Sequence, residues 1–236
     1  MEDLLRFLAS EASADDAAVL ARYFQVKPGG YGEGDHFIGV KLGRLRTIAK
    51  PYGRIVFEPS EWLPLLQSPI HEHRLLALVV MADRASRGGD EERGQIYRTY
   101  LAHTALVNNW DLVDVSCSAI VGGYLLDRDR SPLDDLARSA SLWERRIAMV
   151  STHHFIRAGQ SAPTYRLATA LIDDQHDLIH KAVGWMLREA GHRVDAAELR
   201  TFLDGYAARL PRTALRYAIE HFPPEERQHY LRLRQR

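Results

Sequence analysis

The sequence predicts an all-α fold of stacked antiparallel helical pairs, and three observations carry that prediction. Apolar residues recur at helical spacing from end to end, and strand-like alternation is nearly absent. Long apolar runs open on an ionisable residue, at Arg74, Asp114, Arg146, Lys181 and Arg212, spaced by 40, 32, 35 and 31 residues. Small residues lie inside those runs, at Ala148, Ser151, Ala182, Gly184, Ala214 and Ala218, where they permit close stacking. A drifting period of this length marks helical-pair repeats of the HEAT-like and armadillo-like class, in which no pair buries its apolar face alone. The expected architecture is an α–α superhelix whose long helices line a concave groove, with the opening charges in a row along it.

The elements follow in order. Leu4, Leu5 and Leu8 open a short helix, and a second is expected from Ala17 to Phe24. A glycine-rich loop, KPGGYGEGDHF, comes next, and helical patterning resumes from Lys41 to about Pro51. From Glu61 the pattern becomes repetitive. The long runs are HRLLALVVMADRA, WDLVDVSCSAIVGGYLL, WERRIAMVSTHHFIR, LIHKAVGWMLREAG and PRTALRYAIEHF. Shorter polar runs such as GQIYRTYLAH, PLDDLARSA, YRLATALI and DAAELRTFLDGYAA separate most of them. Asn108 or Asn109 can cap the run that begins at Trp110. Gly122 and Gly123 mark a bend or a close approach in that run, and Pro132, Pro163 and Pro211 fall where first helical turns would start. No linker rich in Pro, Gly or Ser divides the chain. One domain is expected over 1–236, with N-terminal helices and the loop in 1–60 and helical-pair repeats in 61–236.

Composition narrows the function classes. Hydrophobic residues make up 46% of the 236, enough for a sizeable core. The lone cysteine, Cys117, excludes an internal disulfide and any cysteine-built zinc or iron–sulfur site. It is expected to be buried and inert, and a reducing, cytoplasmic setting fits. No run approaches the roughly 18 apolar residues of a membrane span, and the acidic N-terminus does not read as a secretory signal.

A net charge of zero taken alone argues against a nucleic-acid protein. Its distribution argues the other way, because residues 137–236 carry sixteen basic and eleven acidic groups, fifteen of the sixteen being Arg. Arginine presents a fork that matches phosphate oxygens. The same composition also describes a solvated, salt-bridged helix surface.

The sharpest local feature is NNWDLVD, residues 108–114, in which Trp110 and Asp114 stand at i and i+4 on one helix face. RRIAMV contributes Arg146, and KAVGWMLREAG contributes Trp185. Stacked repeats would bring these four from three successive inner helices into one groove. Each also has a plainer reading: tryptophan in a helical repeat is usually core, and Asp114 could cap or pair with a neighbouring Arg. Asp114 is, however, the one acidic opener in a row of basic ones. Asp111 is expected on another face, supporting the helix N-terminus. Trp62 and Trp143 read as packing, and Arg145 as a surface ion pair.

Other signals carry less. HDLIH, residues 176–180, has two-histidine metal spacing but no evident third ligand, so no metal is expected. KPGGYGEGDHF lacks phosphate-loop spacing and reads as a mobile loop. His71, His73, His153 and His154 have no motif context.

Taken together, ARYF at Tyr23, FIGVKLGRLRTIAK after the loop, NWDLVD, WERRIA and GWMLRE resemble the AlkD family of DNA alkylation-repair glycosylases over most of the chain. The order and spacing of the last three motifs are the specific part. The resemblance implies a site in which Asp114, Trp110 and Trp185 cup the lesion's sugar and base while Arg146 holds the DNA backbone. Tyr23 falls where the family has a DNA-facing tyrosine. It further implies excision of cationic alkylpurines from duplex DNA, without cofactor or metal, while the base stays stacked. Two departures stand out: Asn109 occupies a position where the family often has a tryptophan, and KPGGYGEGD enlarges the first loop. Arg74, Lys181, Arg188 and Arg212 are added as candidate phosphate contacts, and a monomer is expected. The rival reading is a non-catalytic scaffold that binds DNA structures or a protein partner, with Asp114 and both tryptophans as packing residues.

Overall fold

Most of the helices form where the apolar spacing places them. The computed structural model describes residues 2–52 and 58–233. It is all-helical, and among the described residues the only extended pairing is an isolated bridge between His36 and Ile70. The fold is therefore the all-α helical-repeat class that the sequence predicts. The chain divides into two compact units, Met1–Ser116 and Cys117–Arg236.

The first unit begins with α1 (Glu2–Ser10) and α2 (Ala14–Tyr23), the latter capped by Ser13, whose Oγ accepts from the Asp16 N–H at 3.3 Å. After the glycine-rich loop come α3 (Leu42–Ala49), α4 (Pro59–Leu66), α5 (His71–Arg87) and α6 (Asp90–Ala102). The long helix α5 is the centre of this unit, with α3, α4 and α6 packed on it. It is buried on nearly all sides, including Leu76, Leu78, Val80 and Met81, as befits a helix that is apolar around most of its circumference. Helix α4 is not separately legible as an element in the sequence, although Trp62 within it is buried as expected.

The site helix α7 (Trp110–Cys117) is capped by Asn109, whose Oδ1 accepts from the Trp110 N–H at 2.8 Å. It runs directly into a π-turn, Ser118–Gly122, and then α8 (Gly123–Leu125). The Gly122–Gly123 signal thus marks both a change of helical pitch and a close approach. A Cβ on Gly122 would overlap the Ser151 carbonyl.

The second unit is built from repeating pairs. Helices α9 (Ser131–Ala137), α11 (Ala162–Ala170) and α13 (Ala196–Tyr206) are the short members. Helices α10 (Leu142–Arg157), α12 (Asp177–Arg193) and α14 (Arg212–Ala218) are their inner partners, followed by α15 (Pro224–Arg232). The π-turn packs on α10, α10 on α12 and α12 on α14, while α9 and α11 cover α10. Pro132 and Pro163 lie in first turns and Pro211 caps α14, as their fixed φ favours. The last long run breaks early, since α14 ends at Ala218.

Small residues make this stacking possible. Ala148, Ser151, Ala182, Ala214 and Ala218 are all buried. A Cβ on Gly184 would overlap the carbonyl oxygen of Ala214 and the Cβ of Tyr217, whereas one on Gly43, in α3, would meet nothing. Gly184→Ala should therefore destabilise the protein by about 1–3 kcal/mol through forced backbone shifts. Gly43→Ala should stabilise it by about 0.5–1 kcal/mol through chain entropy alone. Urea titration of the two variants, read by circular dichroism, checks both signs at once.

Candidate functional site

Three of the nine residues singled out in the sequence come together in the first unit. Tyr23 at the end of α2, and Trp110 and Asp114 on α7, line a cleft of about 400 Å3. Its wall is aromatic: Trp110 stacks on Phe24 with ring centroids 5.2 Å apart, Phe24 stacks on Phe37 at 5.1 Å, and Tyr23 meets Trp110 edge-on at 5.9 Å. The Trp110 indole N–H donates to the Tyr31 hydroxyl at 3.3 Å, and that hydroxyl donates to the Tyr23 carbonyl at 3.0 Å. Tyr23 itself is 62% exposed, which is unusual for a large aromatic ring. Asp114 and Trp110 are half-buried, so both present part of their surface to the cleft. Lys41 and Arg46, both exposed, lie on the same lining and bring positive charge beside Asp114. Neither stood out in the sequence, because Lys41 at the start of α3 and Arg46 in its last turn sit among other basic residues, Arg44 and Lys50, that look like ordinary helix surface.

Beneath this wall lies a buried charge network that the sequence reading missed. Through its two ring nitrogens His71 donates to Asp35 Oδ2 and Asp111 Oδ2, each at 2.9 Å. Arg74 pairs with the other oxygen of Asp35 and donates to the Ser68 carbonyl at 2.9 Å. Asn109, the cap of α7, donates to Asp35 at 3.2 Å. Burial opposes a charge on His71, but its bonds to Asp111 and Asp35 outweigh that and push its pKa up to about 9. Burial likewise pulls Asp35 upward, yet the His71 bond and the Arg74 charge hold its carboxyl below the usual range. Next to His71, Glu72 accepts from the backbone N–H groups of Ile38, Gly39 and Val40, at 3.0, 2.7 and 3.2 Å.

The network has a pH signature. A histidine whose folded pKa is raised from 6.5 to about 9 contributes stability fully present below pH 6.5 and lost as pH rises through 9. The melting temperature should therefore fall between pH 7 and pH 10, and the alkaline fall should shrink in an Asp111→Asn variant, which weakens the largest support of the imidazolium charge. Melting curves read by circular dichroism across that range are the check.

These contacts correct several expectations. The loop KPGGYGEGDHF is anchored at two points, buried Gly32 and buried Asp35, while Lys27, Pro28, Gly29, Glu33 and Gly34 are exposed. Asp111 supports its own helix start, accepting from the Leu112 N–H at 2.8 Å, but it also lines the cleft with Asp114. Arg74 is not an open phosphate ligand, because it is 5% exposed with its guanidinium committed to Asp35 and Ser68.

The other five candidates belong to the second unit. Arg146 is buried too, and its Nη1 donates to the Leu178 carbonyl at 2.6 Å. As placed, it ties α10 to the first turn of α12 rather than standing open to a phosphate. Lys181, Trp185 and Arg188 share a face of α12. Lys181 pairs with Asp177 at 2.8 Å, half-buried Trp185 stands 6.0 Å from the His153 ring, and Arg188 faces Glu189 and Glu220. Exposed Arg212 donates to the Leu231 carbonyl at 2.8 Å. Within HDLIH, His176 caps α12 by accepting from the Leu178 N–H, and His180 bonds the Asp174 carbonyl. Arg145 makes its ion pair with Asp174 at 2.6 Å.

Fold and cleft together define a helical-repeat protein with an aromatic wall and a carboxylate at its edge. The chain belongs to the DNA alkylation repair enzyme family, whose sequence pattern matches residues 4–222. Membership gives it a role in DNA repair and with it DNA as a partner. Among solved structures it is similar to a predicted DNA alkylation repair enzyme from Enterococcus faecalis. That match has 15% identity and a TM-score of 0.68, over 91% of this chain and 98% of the other. At that identity the likeness speaks to the fold. No curated protein matches the chain. No helix among the described residues is long and apolar enough to cross a membrane.

Proposed function

We propose that the protein is a DNA glycosylase that hydrolyses the N-glycosidic bond of cationic alkylated purines, of the N3-alkyladenine and N7-alkylguanine type, and leaves an abasic site. The observation that carries this reading is the placement of Asp114 beside Trp110 and Tyr23 on one aromatic-walled cleft. An alkylated purine already bears positive charge, so it departs with the bonding electron pair and needs no general acid. Positive charge then develops on the deoxyribose ring, as in other glycoside cleavage. The Asp114 carboxylate stabilises that charge and accepts the proton of the water that attacks C1′. The faces of Trp110 and Tyr23 attract the cationic lesion, by about 0.5–2 kcal/mol each according to desolvation. Lys41, which pairs with Asp16 at 3.0 Å on the surface, and Arg46 at the cleft, with Lys181 and Arg212 in the second unit, are candidate cations for phosphate contact. Trp185 is retained as a candidate DNA contact in that unit.

The test is release of free base from duplex DNA methylated at N7 of guanine and N3 of adenine. Release above the uncatalysed rate is the expected result. Salt-sensitive DNA binding with no release from any alkylated duplex would instead identify a non-catalytic DNA-binding scaffold.

A further inference from the structure

Trp110 and Asp114 flank Asp111 on α7, one residue before it and three after it, so the three lie within little more than one turn at its start. That turn is held from outside at two points. His71 donates to Asp111 at 2.9 Å, and Asp35, which His71 also binds, receives the amide of the capping residue Asn109 at 3.2 Å. We propose that His71 is a positioning residue for excision: by gripping Asp111 and Asp35 together it fixes the first turn of α7, and so sets where Trp110 and Asp114 stand in the cleft.

Several features support this role over simple packing. His71 is 1% exposed and roofed by Phe24 and Phe37, whose ring centroids lie 5.3 and 4.4 Å from its own. It acts through other residues and does not itself reach DNA. The charges facing it come from every side of the cluster: Asp35 from the loop, Asp111 from α7, and Arg74 from its own helix through Asp35. With His71 cationic, two carboxylates meet two cations, so the cluster is balanced without solvent. A charged imidazolium has two N–H donors in fixed opposed directions, and only that form bonds both carboxylates at once. Neighbouring Glu72 binds the amides of Ile38, Gly39 and Val40 in the same helical turn. The first turn of α5 is thus the common anchor of the loop and of the site helix. Displacement of a reacting group by about 1 Å costs on the order of 100-fold in rate, which makes such an anchor consequential.

The inference rests on the glycosylase reading, and the experiment separates the two. His71→Gln removes the charge and puts an acceptor oxygen where one of the two opposed donors stood. Its single-turnover rate constant for base release should fall about 10- to 100-fold, while its affinity for the same duplex stays within about threefold of the wild type. A folded His71→Gln protein with the wild-type rate overturns the proposal, as does a loss of affinity as large as the loss of rate. If His71→Gln does not fold, Asp111→Asn serves, since it keeps the side-chain volume but removes the charge by which Asp111 holds the imidazolium. A rate fall at unchanged affinity supports positioning, and an unchanged rate overturns it. If the wild type itself releases no base, the glycosylase reading fails. Amide hydrogen exchange in His71→Gln, or in Asp111→Asn if His71→Gln does not fold, then decides. Faster exchange over 110–114 with α10 unchanged supports positioning, and unchanged exchange over 110–114 overturns it.

Discussion

Asp114→Asn should reduce base release by about 100- to 1,000-fold while duplex affinity stays within about threefold. Asparagine keeps the volume and the hydrogen-bonding reach of the carboxylate and removes only its charge, so the variant isolates electrostatics. Two unit charges about 4 Å apart attract by roughly 4 kcal/mol at the effective dielectric of a partly buried site. Each 1.36 kcal/mol is tenfold in rate, so a loss of this size follows if Asp114 faces developing charge on the sugar. Its half-buried setting beside Trp110 keeps solvent from screening that attraction fully. The measurement is single-turnover release of 3-methyladenine, with affinity for an undamaged duplex read separately. Equal rates for variant and wild type would remove Asp114 from the chemistry. A parallel loss of affinity would make it a binding residue instead.

Arg74→Met should cost about 3 kcal/mol of stability and leave DNA binding unchanged. Methionine replaces most of the arginine's apolar stem but leaves Asp35 with one cation where it had two. Breaking a buried pair by removing one partner typically costs 3–5 kcal/mol, because the remaining charge is uncompensated. The low end applies here, since His71 and Asn109 still bond that carboxylate. For a chain of this length the melting temperature should fall by roughly 6–12 °C. The salt dependence of DNA affinity tells the two roles apart. A lost phosphate contact would lower the slope of log affinity against log salt by about 0.9, whereas a structural arginine leaves the slope alone. An unchanged melting temperature with a reduced slope would restore Arg74 as a phosphate ligand.

The repeat architecture was legible in the sequence because helical spacing of apolar residues is a local property. The runs that became α5, α10 and α12 keep a continuous buried face, and the cap of α7 was legible in Asn109. Trp110 and Asp114 could be placed together because i and i+4 positions share a face wherever the helix points. Periodicity locates a charged residue on a helix but does not say what the next helix offers it. Arg74 and Arg146 align with exposed Arg212 in the repeat, yet both are buried, one against a carboxylate 39 residues earlier and one against a carbonyl 32 residues later. His71 was passed over for the same reason, since its partners Asp35 and Asp111 lie 36 and 40 residues away in opposite directions. The one visible trace was HEHR, a cluster of ionisable residues opening the most deeply buried helix of the first unit, where solvated charge has no place.

The cluster of Asp35, His71, Arg74 and Asp111 also shapes how the sequence can drift. Any one of the four, replaced alone, strands a charge away from water, so most single changes are selected against. Paired changes that remove a carboxylate and a cation together avoid that penalty and can be close to neutral. The four positions should therefore evolve as a block, either retained together or exchanged together for an apolar set, with few viable intermediates. In a library randomised at all four sites, survivors should fall into a small number of charge-balanced combinations. The fitness of each residue would then depend on the other three far more than on its own chemistry.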